Sequence, residues 1–338
     1  MRILMVRPGP AFSVMDVHRG WHKAFQQLGC QVVDLNYDDR LEYHQRALVT
    51  ASPIPNATGR EAAMLAAEGI RSALFDLWPD WLFIVSGFFI PPIVYQVARA
   101  RGIKIAQLFT ESPYEDAHQA LRAPFIDIAL LNDPSNLDLY AEHCSVEYMP
   151  HAYDPDVHKP GPVDPDLASD FAFVGTGYPS RIQFLEQVDF GQLHVSLAGN
   201  WQGLDETSPL HAYTMHNPGE CIDNVDTVRM YQSTKVSANL YRVEAQRDDL
   251  SAGWAMGPRE VELAATGTFY LRDSRPESDA VLPMLPTFTS AAEFGDLARW
   301  WTTHDNERER AATQARAAIH DRTFVENARK FLRLAESI

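Results

Sequence analysis

Residues 257–277 read GPREVELAATGTFYLRDSRPE and carry the clearest local signal in the chain. An acidic residue, Glu262, precedes three small residues and then Gly267, and the apolar run TFYL follows at positions 268–271. Small side chains let a short helix pack closely, a glycine ends it, and a short apolar run after the glycine is typical of a buried strand. The stretch therefore predicts a helix, a glycine stop and one strand of a sheet.

The same alternation of strands and helices extends through the first half of the chain. A strand, a helix ending at Gly29 and a second strand open the sequence, which indicates a parallel sheet built by right-handed crossovers. Residues 36–60 are polar and contain Pro53, Pro55 and Gly59, so they predict a long surface loop with at most a helical piece. The strands predicted in this half are residues 2–6, 30–35, 81–85, 103–109, 127–131 and 146–149.

The second half repeats this pattern after a change in composition. Residues 154–170 combine several prolines with aspartates, which is typical of a linker. Strand-like runs then recur, separated by helical patterns. The sequence therefore predicts an α/β protein with two Rossmann-like domains. The predicted segments are residues 1–155 for the first domain, 170–320 for the second and 321–338 for a closing helix.

Composition narrows the class of protein. The 338 residues carry a net charge of −16, which argues against broad, non-specific binding to nucleic acid because that affinity comes mainly from phosphate neutralisation. The cysteines Cys30, Cys144 and Cys221 are odd in number and far apart, so no disulfide framework or zinc spacing follows and a reducing cytoplasm is expected. No membrane span is expected, because the apolar stretch 81–95 is too short and contains two prolines.

A turn with two glycines, in FVGTGYPSR at residues 173–181, is the first candidate site. Gly175 and Gly177 would let the backbone approach a ligand, and the N-terminus of the next helix offers free N–H groups to a phosphate. Arg181, in the first helical turn, would add a charge-assisted contact to a diphosphate. Because the third glycine of the dinucleotide fingerprint is missing, a plain strand-to-helix turn with Arg181 in solvent stays open as the alternative.

Two acidic residues are candidates for binding or catalysis. Glu111, in LFTESPYE, follows a predicted strand, and sites in open α/β sheets form at the carboxyl ends of strands. It is therefore a candidate general base for an acceptor hydroxyl, with a helix-capping acid before Pro113 as the alternative. Glu262 is a candidate ligand-binding acid, and the alternative is an acid that stabilises its own helix dipole, with Arg259 as its surface partner.

The histidine pair His18 and His22 could share one helix face, as zinc ligands do. The segment HRGWH lacks the glutamate of a metalloprotease helix, and no third ligand is evident, so no metal site is predicted. His18 instead follows the first predicted strand closely enough to be a cleft residue and a second candidate for the catalytic base.

Several blocks, taken in order, resemble the CgeB-like (spore-maturation-protein-like) glycosyltransferases. The likeness runs from about Pro79 to Leu332, and the ordered set is specific for the family rather than any single block. The blocks are LFTESPYED, LLNDPSNLDLY, YMPHAYDPDVHKP, FVGTGYPSRIQFLEQ, GPREVELAATGTFYLRDSRPE and ERERAATQARAAIHDRTFVENARKFL.

The resemblance implies a GT-B fold, in which two Rossmann-like domains with parallel sheets face each other across a cleft. The C-terminal domain would hold a nucleotide-sugar donor, the N-terminal domain the acceptor, and the last helix would cross back to the first domain. Such enzymes usually need no metal ion or other cofactor. The donor-binding positions that the resemblance implies are Gly175, Gly177 and Arg181 at the diphosphate, Arg259 near the phosphates, Glu262 at the ribose, and the strand and loop from Lys235 to Arg242 beside the nucleotide.

Two positions depart from the family pattern. Many related retaining transferases carry two glutamates with seven residues between them, and the first would fall at position 254, which is Trp254 here. The acid that would contact the transferred sugar is thus missing or supplied from elsewhere, which leaves the retaining outcome open. The strand-end motif carries Glu111 where the family usually has an aspartate, so the charge is kept and the reach is longer.

The leading hypothesis is a metal-independent glycosyltransferase that moves a sugar from a UDP-, GDP- or TDP-sugar to a hydroxyl acceptor. The acceptor could be a protein, a glycan, a small molecule or a modified DNA base. Two alternatives stay open: a non-catalytic protein that binds a nucleotide or sugar, and a sugar-nucleotide epimerase on the same fold.

Overall fold

A computed structural model describes residues 1–9, 14–51, 59–215, 222–243 and 253–338. The chain divides into two compact units. The N-terminal unit holds Met1–Pro150 and Phe324–Ile338, and the C-terminal unit holds the described residues of 151–243 and 254–323. The closing helix therefore belongs to the N-terminal unit. Pro53, Pro55 and Cys221 lie outside the described residues.

The N-terminal unit contains a parallel sheet with strand order β2-β1-β3-β4-β5-β6. Its strands are β1 (Arg2–Val6), β2 (Gln31–Leu35), β3 (Trp81–Val85), β4 (Lys104–Phe109), β5 (Ile128–Leu131) and β6 (Ser145–Tyr148). Chain order reverses between β1 and β3, since β2 lies on one side of β1 and the later strands lie on the other. Such a switch point opens a crevice at the carboxyl ends of the two strands, where ligands bind in doubly wound folds.

The helices of this unit connect the parallel strands. They are α1 (Met15–Gln27), α2 (Tyr37–Ala51), α3 (Gly59–Leu77), α4 (Pro92–Ala100), the single turns α5 (Asp116–Gln119) and α6 (Asp138–Ala141), and α13 (Phe324–Ala335) at the end of the chain. The prediction of a loop at 36–60, which left a helical piece open, was wrong over residues 37–51, where α2 forms. Tyr37 and Leu41 in the first half of α2 are fully buried, and two aspartates in its first turn suit the helix dipole.

An aromatic cluster joins the closing helix to the sheet of the N-terminal unit. Phe331 of α13 lies edge-on to Phe83 of β3 at 5.2 Å and to Phe25 of α1 at 5.6 Å, and Trp21 completes the group. All four side chains are almost fully buried. Aromatic pairs in this geometry add to the free energy gained from burial, so α13 is a part of this core.

The C-terminal unit contains a second parallel sheet, with strand order β10-β9-β7-β8. Its switch point lies between β7 and β9, because β8 and β10 lie on opposite sides of that pair. The strands are β7 (Ser169–Val174), β8 (Val195–Ala198), β9 (Thr234–Asn239) and β10 (Tyr270–Arg272). The helices are α7 (Pro179–Glu186), α8 (Asn224–Ser233), α9 (Pro258–Thr266), α10 (Pro276–Val281), α11 (Ala291–Thr303) and α12 (Asp305–Ala318).

The stretch that opened the sequence analysis folds as predicted. Helix α9 begins after Gly257 and buries its small and apolar face, including Ala264 and Ala265. Gly267 ends it with a φ of +77°, a left-handed conformation that residues with a Cβ rarely adopt. Strand β10 begins three residues later and pairs with β9.

The cysteines and the longest helices bear on two further expectations from the sequence. Cys30 and Cys144 are both free thiols. Among the helices that the structure describes, none combines the length and apolar character needed to cross a bilayer.

Candidate functional site

Arg259 occupies the switch point of the C-terminal sheet. It is the second residue of α9, and its Nε donates to the carbonyl of Val174, the last residue of β7, at 2.9 Å. Its Nη1 lies 3.4 Å from Oδ1 of Asn239, the last residue of β9. A half-buried cation thus lies across the carboxyl ends of the two strands where ligand crevices form.

The two-glycine turn after β7 is shaped around neighbouring side chains. A Cβ at Gly175 would lie 2.3 Å from Nη2 of Arg259, and one at Gly177 would lie 2.4 Å from the ring of Trp201. The amide N–H groups of both glycines donate to backbone carbonyls at the end of β8 and just after it, those of Ala198 and Asn200. The glycines therefore make room for Arg259 and Trp201, and their own N–H groups are already used.

Arg181 connects segments of the site through hydrogen bonds to their backbone carbonyls. Its side chain is only 7% exposed, so the alternative of an arginine in solvent is wrong. Nε and Nη2 donate to the carbonyl of Leu240 after β9, at 3.0 and 2.6 Å, and Nη1 donates to the carbonyl of Thr176. Arg181 therefore ties the start of α7 to the turn after β7 and to the segment after β9.

Glu262 is half-buried. It lies three residues after Arg259 and therefore on the same face of α9. Both charges act on the buried phenol of Tyr231 in α8. Burial raises the pKa of Tyr231, the Glu262 charge raises it further, and Arg259 opposes the change. The structure thus brings Glu262, Arg259, Arg181 and the glycine turn to one region of the C-terminal unit.

Lys235 does not join them, which corrects the donor-binding prediction for this residue. It is the second residue of β9, at the amino end of the strand, and its Nζ pairs at 2.8 Å with Asp170 at the start of β7. Lys235 lies four residue steps before Asn239. At about 3.3 Å for each step, it is roughly 13 Å from the carboxyl edge. Sequence resemblance identified the strand but could not tell which end faces the site.

Four polar residues of the site had no individual signal in the sequence. Asn239 is 2% exposed, and its Nδ2 has no hydrogen-bond partner in the described part of the chain. The backbone N–H of Tyr241 donates to Asp273 at 2.6 Å, and the guanidinium of Arg275 lies 3.8 Å from the centroid of the Tyr241 ring. These contacts fix the segment after β9, and they depend on residues distant in sequence.

In the N-terminal unit, His18 is almost fully buried in the first turns of α1. Its Nε2 lies 2.8 Å from Oδ1 of Asp34 in β2, and the other carboxylate oxygen accepts from Nε of Arg7 at 2.9 Å. Its Nδ1 has no partner among the residues described. With Nε2–H donating to Asp34, Nδ1 is the nitrogen that could accept a proton.

The carboxylate of Asp34 should make the free energy of unfolding depend on pH. Burial disfavours its ionised form, but hydrogen bonds from His18 and Arg7 outweigh burial and lower its pKa to about 2. Because the folded-state pKa is depressed, the stabilisation is present above the unfolded pKa of about 3.9 and is lost as pH falls toward 2. We expect Asp34→Asn to lower the free energy of unfolding at pH 7 by about 1–2 kcal/mol, allowing for partial exposure.

Urea unfolding at pH 7, 5 and 4 measures this effect. The deficit of the Asn variant should persist from pH 7 to pH 5 and begin to shrink near pH 4. A deficit that disappears between pH 7 and pH 5 would mean that Asp34 titrates in the ordinary range, and it would contradict the prediction.

Glu111 is half-buried and lies two residues beyond the end of β4. The turn that carries it is anchored by Asp116, which is fully buried. Asp116 accepts hydrogen bonds from Ser112, from Asn136 at 2.9 Å and from Tyr140 at 2.8 Å. Sequence reasoning missed Asp116, since an acid inside a turn gives no sign of its burial.

The two candidate bases are not brought together. Asp34, the partner of His18, is in β2, and Glu111 follows β4, with β1 and β3 between those strands. Three inter-strand spacings of about 4.8 Å place the two positions roughly 14 Å apart. One acceptor hydroxyl therefore cannot contact both groups, and they are alternatives rather than partners.

A search of the described ranges for three or more His, Cys, Asp or Glu side chains arranged to hold a metal ion finds no such group.

Comparisons with known proteins agree with this architecture. Residues 181–333 match the family described as glycosyl transferase-like. A search of the curated proteins finds no significant match. The match to the family covers the segment from Arg181 through α9 to α13.

Solved structures share the fold over the full length of the chain. Sucrose-phosphate synthase from Thermosynechococcus elongatus has a TM-score of 0.67 at 11% identity, covering 100% of this chain and 98% of that one. HepE from Anabaena, in complex with UDP and glucose, has a TM-score of 0.64 at 12% identity, with 100% of both chains covered. A putative UDP-N-acetylglucosamine 2-epimerase from Listeria monocytogenes has a TM-score of 0.59 at 11% identity, covering 99% and 96%.

These likenesses establish the GT-B architecture, with parallel sheets in both units. The fold is shared with a protein described as a putative epimerase, so it does not by itself define the reaction. The family match over residues 181–333 adds sequence evidence to the shared fold. Together, this match and the GT-B fold support a glycosyltransferase.

Proposed function

We propose that the protein transfers a sugar from a nucleoside-diphosphate sugar to a hydroxyl acceptor, as a CgeB-like enzyme. The observation that carries the proposal is the position of Arg259, whose guanidinium lies across the carboxyl ends of β7 and β9. A cation at a topological switch point is suited to an anionic ligand. The diphosphate of a nucleotide sugar is such a ligand, and the HepE neighbour was solved with UDP and glucose.

Arginine side chains, rather than a metal ion, neutralise the leaving group in this proposal. Arg259 supplies the direct charge, while Arg181 fixes the two segments on either side of it. Preorganised cations aimed at a developing charge stabilise a transition state without reorganisation during the reaction. Activity should therefore persist in excess EDTA, and loss of activity on chelation with recovery on adding Mg²⁺ or Mn²⁺ would contradict metal independence.

The buried amide of Asn239 supports a donor site at the same edge. Its Nδ2 is a hydrogen-bond donor that lacks an acceptor within the described residues, and its Oδ1 faces Arg259. Buried polar atoms in native proteins are nearly always satisfied by protein, water or ligand. An oxygen of the bound nucleotide would satisfy Nδ2.

Glu111 is the better placed of the two candidate bases. It is half-buried at a strand end, where an acceptor can reach it, whereas His18 is 2% exposed. A general base must lie within hydrogen-bond distance of the hydroxyl that it deprotonates. We therefore assign acceptor activation to Glu111, with Asp116 holding the turn that carries it. The acceptor is a protein, a glycan, a small molecule or a modified DNA base.

The experiment that tests the proposed function begins with thermal shift. UDP, GDP and TDP, and then the corresponding sugars, are screened at millimolar concentration, because a ligand that binds only the folded state raises the unfolding temperature. The stabilising donor is then incubated with an acceptor panel, and release of nucleoside diphosphate is followed. An epimerase would instead convert the donor sugar without acceptor and without net release of nucleoside diphosphate.

Replacing Glu262 tests the proposed contact with the ribose of the donor. In the proposal its carboxylate accepts hydrogen bonds from the ribose hydroxyls, and hydrogen bonds to a charged group contribute about 1.5–3 kcal/mol each. Glu262→Ala should therefore weaken UDP binding about 10- to 100-fold in isothermal titration calorimetry. Lys235→Ala is the matched control, because it also removes a charge from the C-terminal unit but at the opposite edge of the sheet. Equal affinities for the two variants would overturn the assignment of Glu262.

A further inference from the structure

Glu260 is a carboxyl group buried completely beside the proposed donor site. It is the third residue of α9 and is 0% exposed. Its Oε2 accepts hydrogen bonds from the N–H of Gly257 at 3.0 Å, from the hydroxyl of Ser278 at 2.9 Å and from the hydroxyl of Tyr241. Buried acids are rare unless their hydrogen bonds hold something in place, so this convergence requires an explanation.

The three donors belong to three different segments of the C-terminal unit. Gly257 caps α9, Ser278 lies in α10, and Tyr241 lies two residues beyond the end of β9. The Tyr241 hydroxyl also accepts from the N–H of Gly257 at 3.1 Å, which closes the network. One carboxyl oxygen therefore sets the distance between the start of α9 and the segment that follows β9.

Those two segments frame the group that the proposed function depends on. Arg259 lies two residues after Gly257, and Leu240, which accepts from Arg181, directly precedes Tyr241. Displacing the first turn of α9 would move the guanidinium of Arg259 away from Val174 and Asn239. A shift of even one ångström in a positioning contact can weaken function many-fold.

We propose that Glu260 is a positioning residue for the donor site, which acts through Gly257 and Tyr241 to hold Arg259 against the ends of β7 and β9. The inference rests on the proposed function. Glu260 does not contact the donor in this account. Its effect on binding is transmitted through the first turn of α9.

Burial disfavours the charged form of the Glu260 carboxyl group and raises its pKa. Four interactions oppose this rise: the hydrogen bonds from Tyr241, Gly257 and Ser278, and the charge of Arg272. Its Oε1 has no partner in the part of the chain that the structure describes. A glutamine can keep one oxygen toward the three donors and place its amide nitrogen where Oε1 lies. Geometry, rather than negative charge, is thus what the site requires from this residue.

A double-mutant cycle tests the proposal. UDP affinity is measured by calorimetry for the wild type, Glu260→Ala, Arg259→Ala and the double variant, below the unfolding temperature of each. Glu260→Ala should weaken UDP binding about tenfold, and this loss should vanish in the Arg259→Ala background because the effect passes through Arg259. Full additivity of the two losses would overturn the proposal.

Two further variants keep the test independent of folding defects. Glu260→Gln should restore affinity to within about threefold of the wild type, whereas an amide variant as weak as alanine would contradict a role in geometry. Glu293→Ala is the matched control, since Glu293 is also an acid in the first turn of a helix, α11, and accepts from Thr289. It should lower stability without changing UDP affinity, and a loss of affinity equal to that of Glu260→Ala would overturn the proposal.

Hydrogen exchange separates this inference from the proposed function. Glu260→Ala should increase exchange at the amides of residues 257 and 259 in the absence of any ligand, because their anchor is removed. If the wild type binds no nucleotide but this increase is seen, the proposed function fails, and only the anchoring of the first turn of α9 by Glu260 stands. If the wild type binds UDP and exchange is unchanged, the positioning role fails alone.

Discussion

Arg259→Ala should reduce UDP affinity about 10- to 100-fold, because it removes the cation at the switch point of the C-terminal sheet. The estimate follows from about 1.5–3 kcal/mol for each hydrogen bond to a charged group. The loss should fall as salt concentration rises, since screening already weakens the attraction between the guanidinium and the diphosphate. Calorimetry at 50 and 300 mM salt measures both effects.

Arg229→Ala is the control for this change. Arg229 is an exposed arginine of α8 in the same unit, paired with Asp164 and Asp226. The Arg229→Ala substitution removes the same charge but changes no contact at the strand ends. UDP affinity should therefore stay within about twofold of the wild type. If Arg259→Ala retains wild-type affinity, the guanidinium only satisfies the carbonyl of Val174, and the diphosphate site lies elsewhere.

Gly199→Ala should strongly destabilise the C-terminal unit. Gly199 has a φ of +103°, and a Cβ there would lie 2.4 Å from the backbone oxygen of Gly175. Neither partner can yield easily, because the oxygen belongs to the turn that Arg259 and Ala198 hold. Backbone strain and the clash together should cost about 3 kcal/mol, or roughly 6–12 °C in unfolding temperature.

Gly203→Ala is the matched control, four residues further along the same segment. A Cβ at Gly203 would lie 3.5 Å from its nearest neighbours, which is ordinary van der Waals contact. Its unfolding temperature should change by no more than about 2 °C. Differential scanning calorimetry compares the two variants. Equal unfolding temperatures would show that the turn after β7 can move away from position 199.

Much of the fold could be predicted from local sequence. Alternating apolar runs and helical periods identified both sheets, and Gly267 marked the end of α9. The extent of α2 was missed because residues 36–60 look polar and broken by proline. In the structure α2 is stabilised by the burial of Tyr37 and Leu41, and that burial depends on contacts with residues distant in sequence.

The candidate site was predictable only in outline. Resemblance pointed to Arg181, Arg259 and Glu262 by their place in the sequence, and the structure gathers these three in one region. It gives Arg181 a bracing role, because its nitrogens donate to backbone carbonyls. It also moves Lys235 out of the site, because a strand has two ends and spacing alone does not say which one faces a ligand.

The sequence by itself determined the α/β class, the two-domain organisation and the helix-glycine-strand unit at residues 257–277. These depend on periodicity and on glycine conformation, which are properties of neighbouring residues. Tertiary structure alone decided that Arg259 lies across the ends of β7 and β9, that Glu260 is fully buried and accepts from Gly257, and that Asp34 bonds His18. Those facts follow from strand order and burial, because hydrogen bonds between residues distant in sequence form only when the sheet has brought the residues together.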